Sequence, residues 1–287
     1  MCHPLLRRPL RFATYLAPNV RPVYEFISRY VGDRLGCSTE LIVGDSYARV
    51  AESDVAFLCG LPYVLLADQP QPPIELLAAP VLQGARYGGR PVYFSDVIVR
   101  RDSQFHTFAD LRGARWAYNE PNSHSGFGVV RYHLAQLGET NGYFGRVIKT
   151  GWHERSIRLV AAGTVDGSAI DSQVLAVTLR EHPHLARRLR VIDTLGPSTI
   201  QPVVAARRLP ELLKAQLRSL LLDMHRCRAS RAVFAHGCLE KFVAIKDRDY
   251  DDIRAMLGVS LPRHSGNTCG RTTSYGRKGF LQPIQRD

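Results

Sequence analysis

No stretch of this 287-residue sequence approaches the roughly 18 consecutive apolar residues that a membrane-spanning helix needs, so none is expected. The six cysteines form no CxxC pair, and no histidine flanks them at metal-ligand spacing. That argues against a zinc site and a disulfide scaffold, and reduced thiols are expected, with Cys59 buried in an apolar strand. The patterns GxxxxGK[ST], GxSxG and HExxH are absent, as is a GxGxxG after a strand. No nucleotide-dependent or hydrolytic machinery declares itself, and neither a metal nor a cofactor is expected. Lysine is scarce, and Lys149, Lys214, Lys241, Lys246 and Lys278 offer no convincing reactive amine.

What is present is a globular composition, 45% hydrophobic and 22% charged, with length for one large domain or two lobes. Lys and Arg total 38 against 26 acidic residues, a net charge of +12. Part of the excess lies in residues 262–287, where Arg263, Arg271, Arg277, Lys278 and Arg286 face Asp287 in a Gly-, Ser- and Thr-rich stretch. This segment is expected to be a disordered basic tail. The remaining charge is spread over many helices, and no basic stripe carries interleaved aromatics, so nucleic-acid binding is not expected. The N-terminus has early charge at Arg7 and Arg8 but no apolar stretch of signal-peptide length, which as written reads as cytoplasmic.

Apolar runs and helical periodicity alternate along the chain. Strands are predicted near residues 10–15, 40–43, 55–58, 75–81, 92–99, 115–118, 147–150, 167–170, 190–195 and 202–206. Helices are predicted over 22–35, where Gly36 is the stop, over 63–67, after residues 126, 153 and 171, from Pro210, and over 250–257. Such alternation predicts an α/β fold of parallel sheets with helices on both faces.

Three places could hold chemistry. Asn122-Ser123-His124-Ser125-Gly126 joins a strand to a helix. The unpaired N–H groups and positive dipole end of that helix, two hydroxyls and a glycine open to close approach suit a tetrahedral oxyanion. An ordinary N-cap explains the serines equally well. His153 precedes another helix and can donate to an oxyanion, or simply cap. Asp171, after the strand at 167–170, accepts but does not donate; it favours a guest that keeps a P–OH or carries an amine, or it is a plain N-cap. All three fall at C-terminal strand ends, the ligand-binding edge of open α/β sheets. From the other half, Tyr15, Tyr47, Tyr63 and Tyr93 are candidate closing groups. No Ser–His–Asp triad or paired-carboxylate signal emerges, and Glu120 does not separate from surface charge.

In their order and spacing several segments resemble the phosphate/phosphite/phosphonate-binding protein family, the solute receptors of phosphonate-type ABC importers. They are Phe12-Ala13-Thr14-Tyr15-Leu16-Ala17-Pro18, Asp54-Val55-Ala56-Phe57-Leu58-Cys59-Gly60-Leu61-Pro62-Tyr63-Val64, Tyr93-Phe94-Ser95-Asp96-Val97-Ile98-Val99-Arg100, Asp110-Leu111-Arg112-Gly113, the loop at 122–126, Gly151-Trp152-His153-Glu154 and Ala169-Ile170-Asp171-Ser172. The resemblance implies a two-lobed type 2 periplasmic-binding-protein fold, two α/β lobes joined by two hinge strands. Lobe one would be residues 1–93 plus 199–261, and lobe two 94–198. It implies a monomeric, non-enzymatic binder of a small oxyanion for ABC uptake, with a transporter permease as partner. Ser123, His124, Ser125 and Gly126 would hold oxyanion oxygens, His153 would donate and Asp171 accept. Tyr15, Tyr63 and Tyr93 would close from lobe one, while the short segment between Tyr47 and Asp54 leaves Tyr47 out. The family is usually exported, so a misassigned start would make the protein periplasmic. The alternatives are a cytoplasmic ligand sensor and an enzyme on the same scaffold.

Overall fold

The computed structural model describes residues 8–44, 46–139 and 142–260. The basic segment 262–287 lies outside the described residues, as do the first seven. The chain opens with β1 (Leu10–Thr14), α1 (Arg21–Leu35), β2 (Thr39–Val43), β3 (Val55–Phe57), α2 (Gly60–Ala67) and β4 (Ile74–Leu82). It crosses into a second sheet with β5 (Val92–Arg100), β6 (Arg115–Tyr118), α3 (Val129–Gln136), β7 (Arg146–Lys149), α4 (His153–Ala161), β8 (Gly167–Asp171), α5 (Ser172–Glu181), α6 (Pro183–Arg188) and β9 (Leu189–Thr199). It then returns to the first sheet with β10 (Val203–Ala206), α7 (Glu211–Asp223), α8 (Ser230–His236), β11 (Leu239–Val243) and α9 (Asp251–Ser260).

The sheets have strand orders β11-β4-β10-β3-β1-β2 and β7-β6-β8-β5-β9. Both are mixed, which corrects the all-parallel expectation. β5 leaves the first sheet and β9 heads back, so they run in opposite directions and pair antiparallel from Val92↔Thr199 to Arg100↔Leu189. β10 follows that return and is therefore antiparallel to both β3 and β4. The strands whose C-terminal ends carry the candidate residues run parallel to one another within each sheet: β1 with β2 and β3, and β6 with β7 and β8.

Sequence explains these elements locally. β3 is buried throughout, as the continuous apolar run of a central strand should be. β7 is an edge strand, and its Arg146 and Lys149 blunt further pairing. α1 turns its buried Val23, Ile27 and Val31 to the first sheet and ends at Gly36, whose φ of 63° suits a left-handed C-cap. Two predicted features differ. β9 runs well past 190–195 because the whole crossing pairs with β5. α6, α8 and β11 fall where no element was expected, since each is too short to show a period of its own.

Candidate functional site

The C-terminal ends of β6, β7 and β8 face those of β1 and β3 across a cavity of about 50 Å³. On the second-sheet side it is lined by Asn119, Glu120, Ser123, Ser125, Trp152, His153, Asp171, Gln173 and Val174. On the other it is lined by Tyr15, Leu16, Ala17, Val20, Tyr24, Tyr47 and Cys59, and Gln201 closes it from the crossing between β9 and β10.

The loop after β6 is held from within. Ser123 Oγ accepts from the Gly126 N–H at 3.1 Å, and the Ser123 carbonyl accepts from the Gly128 N–H at 3.0 Å. The chain makes one wide π-type turn, residues 124–128, before α3 begins. Ser123 Oγ and Ser125 Oγ lie 3.3 Å apart, and Ser125 Oγ lies 3.0 Å from His153 Nε2. Hydroxyl, hydroxyl and imidazole thus form a short chain along the cavity wall. His153 Nδ1 is buried without a hydrogen-bond partner among the described residues. Burial depresses the His153 pKa to about 3, so the ring is neutral near pH 7.

Asp171 ends β8 and caps α5. Its Oδ1 accepts from the N–H groups of Gln173 at 2.8 Å and Val174 at 3.2 Å, and Oδ2 accepts from Gln201 Nε2 at 2.5 Å. Even with those donors, burial lifts its pKa to about 6. Glu120 is less engaged. Tyr47 donates to its Oε1 over a long 3.5 Å, and desolvation raises its pKa to about 7 against the opposing pull of Lys149. Tyr15 stacks on Tyr47, with ring centroids 4.9 Å apart, and makes the opposite wall.

Of the residues singled out from sequence, Tyr15, Ser123, Ser125, His153 and Asp171 line the cavity. His124, Gly126, Tyr63 and Tyr93 do not. The His124 ring turns away, its Nε2 2.9 Å from Ser198 Oγ, while its backbone N–H donates to Cys59 Sγ at 3.4 Å. Burial lowers the His124 pKa to about 4. Gly126 is required by packing rather than by guest approach: a Cβ there would sit 2.0 Å from Asn119 Oδ1. Tyr63 points to the far side and donates to Asp247 Oδ1 at 2.6 Å. Tyr93 is buried beneath the loop, its ring edge-on to His124.

Sequence reasoning missed Glu120, Asn119, Gln201 and Tyr24, and set Tyr47 aside. The segment holding Tyr47 is a compact 3-10 turn, Tyr47–Glu52, which swings the ring inward. Glu120 stands three residues before Ser123 on the same loop, and that adjacency was the available signal.

Among known proteins, the family model for the phosphonate periplasmic substrate-binding protein of ABC transporters matches residues 13–250. The phosphonates-binding periplasmic protein of Escherichia coli (strain K12) is 27% identical over 173 residues, 58% of this chain and 51% of that protein. The chain thus aligns with about half the length of that curated relative. A binding-protein component of an ABC phosphonate transporter from Pseudomonas aeruginosa superposes with a TM-score of 0.75 at 22% identity, over 87% of this chain and 85% of its own. A Prochlorococcus marinus (MIT 9301) protein, solved with methylphosphonate, gives 0.72 at 17% identity, over 86% and 96%. The fold is that of type 2 periplasmic binding proteins.

Proposed function

Because this chain belongs to the phosphonate-type periplasmic substrate-binding proteins of ABC transporters, we propose that it captures a small phosphorus oxyanion in the cavity between its two sheets. That family consists of binding proteins, not enzymes. The observation that carries the reading is the line of Ser123, Ser125 and His153 at parallel strand ends, facing a space of about 50 Å³. Donors converging at strand termini are where an α/β scaffold holds an anion. The small volume favours phosphate, phosphite or methylphosphonate over guests with long substituents.

In this reading residues 1–93 plus 199–261 and 94–198 act as two lobes, with β5 and β9 as hinges. Ser123 and Ser125 donate to guest oxygens, and neutral His153 donates its single N–H, at Nε2, to Ser125 Oγ, which leaves the Ser125 hydroxyl hydrogen for the guest. Asp171 accepts from a guest P–OH while bracing α5 and Gln201. Tyr15 closes the cavity from the first lobe. His124, Gly126 and Tyr93 support the loop from behind, and Tyr63 braces the base of α9. The guest shifts an open–closed equilibrium through its greater affinity for the closed form. The protein works as a periplasmic monomer that delivers its guest to an ABC permease. Among the described residues, no helix is long and apolar enough to cross a membrane.

Titration calorimetry with phosphate, phosphite, methylphosphonate, sulfate and methanesulfonate tests this. The phosphorus oxyanions are expected to bind. Ser123→Ala should weaken all of them about 10-fold or more, the scale of one hydrogen bond to a charged group. Asp171→Ala should erode the preference over sulfate. Absence of heat with every member of the panel would overturn the ligand class.

A further inference from the structure

The cavity has an unusual charge balance for an oxyanion site: neither Lys nor Arg is among its lining residues, while two carboxyl groups are. Its imidazole is neutral near pH 7. Buried anions need pairing or neutralisation, and like charges in a desolvated site disfavour each other's ionisation. A guest anion therefore cannot sit beside two carboxylates without compensation.

We infer that the guest's charge is compensated by a proton rather than by a basic side chain, and that Glu120 is the residue that shares this proton with a guest oxygen. The inference rests on the oxyanion reading and extends it. Asp171 is the poorer candidate, because its oxygens already accept from two backbone N–H groups and from Gln201. Among the described residues the Glu120 side chain has only the long bond from Tyr47, and it lines the same wall as Ser123 and Ser125. The groups around it are Tyr47 from the 3-10 turn, Lys149 at the end of β7, His153 at the start of α4, Asp171 at the end of β8, and Cys59 beyond β3. Of these, only Lys149 is cationic near pH 7, and it is exposed, outside the cavity lining. The balance is simple. One proton leaves solvent, bridges Glu120 and a guest oxygen while the complex lasts, and returns to solvent on release. Apart from the O–H bond of that proton, which is made on binding and broken on release, no covalent bond changes.

Calorimetry at pH 8, repeated in buffers of different ionisation enthalpy, counts the protons taken up with methylphosphonate and with phosphite. At pH 8 the guest is mainly a dianion, so wild type is expected to take up close to two: one on the P–OH that Asp171 accepts and one shared with Glu120. Glu120→Gln, whose amide is a permanent donor, should still give measurable heat with uptake lowered by close to one, whereas Asp171→Asn should keep the proton at Glu120. Binding without proton uptake by wild type overturns the inference and leaves the oxyanion reading standing, as does unchanged uptake by Glu120→Gln. No binding of any oxyanion by wild type overturns both. If Glu120→Gln does not fold, the carboxyl carbon-13 resonance of Glu120 in wild type decides. It should titrate near pH 7 in the free protein and hold its protonated position through pH 8 in the complex; an unshifted titration in the complex overturns the inference.

Discussion

Glu120 and His153 share one cavity yet link stability to pH with opposite sign. His153, at about 3, and His124, at about 4, are poorer bases than in an unfolded chain. The unfolded state therefore binds more protons, and stability is lost as pH falls below about 6.5. Glu120, raised from 4.5 to about 7, is the reverse: the folded state binds the extra proton, and stability is lost as pH climbs from 4.5 to 7. Glu120→Gln removes that cost. The variant should match wild type near pH 4 and exceed it at pH 8 by on the order of 3 kcal/mol, the scale of the shift from 4.5 to about 7. Thermal denaturation at the two pH values checks this, and an equal gap at both would refute it. Gly126→Ala should lose about 1–3 kcal/mol through overpacking against Asn119 and His153. Denaturant midpoints measure that loss, and a neutral result would mean Asn119 can swing aside. At this scale the sequence was legible where a side chain ends a strand: Ser123, Ser125, His153 and Asp171 all reach the cavity wall. It was not legible for His124, because the π-type turn rotates that position outward and nothing in the spelling Ser-His-Ser announces such a turn. Glu120 looked like surface charge because its burial depends on Tyr47, 73 residues away.

Between the elements, Asn19 ties the region ahead of α1 to the second sheet's helices. The Asn19 backbone N–H donates to Glu154 Oε1 at 3.1 Å, and its side-chain amide donates to the Val174 carbonyl and to Thr178 Oγ1, each at 3.0 Å. These bonds join the start of α1 to α4 and α5, so in the proposed open–closed equilibrium they count toward the closed form. Asn19→Ala removes the two side-chain bonds. At roughly 1 kcal/mol each, affinity for the guest should fall about 30-fold, chiefly through faster release. Competition kinetics read the release rate, and an unchanged rate would show that the latch does not report on closure. Most elements followed from local pattern, as with α1 between Pro22 and Gly36, or β3 as an apolar run. Strand direction did not. Whether β5 and β10 run with or against their neighbours depends on which sheet the chain enters next, and no short window of sequence carries that. The same holds for α9, where Ile253 packs in the first sheet's core while Met256 reaches the second's.

For the molecule as a whole, a charge of +12 has to be reconciled with a cavity lined by neither Lys nor Arg. The two act at different distances. An open hollow of about 810 Å³ adjoins the cavity and shares Trp152 with it, and Lys149, Arg155 and Arg158 line that hollow. These cations raise the local concentration of an approaching anion, while the final hydrogen bonds come from groups neutral near pH 7. Steering by exposed charge is screened over a Debye length of roughly 10 Å at 0.1 M salt, whereas short bonds in a closed cavity hardly feel it. Salt should therefore slow association and leave release nearly untouched. Stopped-flow fluorescence follows both rates, since Trp152 lies in the cavity wall and the chain's other tryptophan, Trp116, is buried in the second sheet's core. Between about 20 and 500 mM sodium chloride, the association rate constant is expected to drop several-fold, the behaviour of electrostatically steered encounter. A release rate that climbs in step with salt would mean that one of the hollow's cations reaches the bound guest. The proton at Glu120 would then have a competitor for the work of neutralisation.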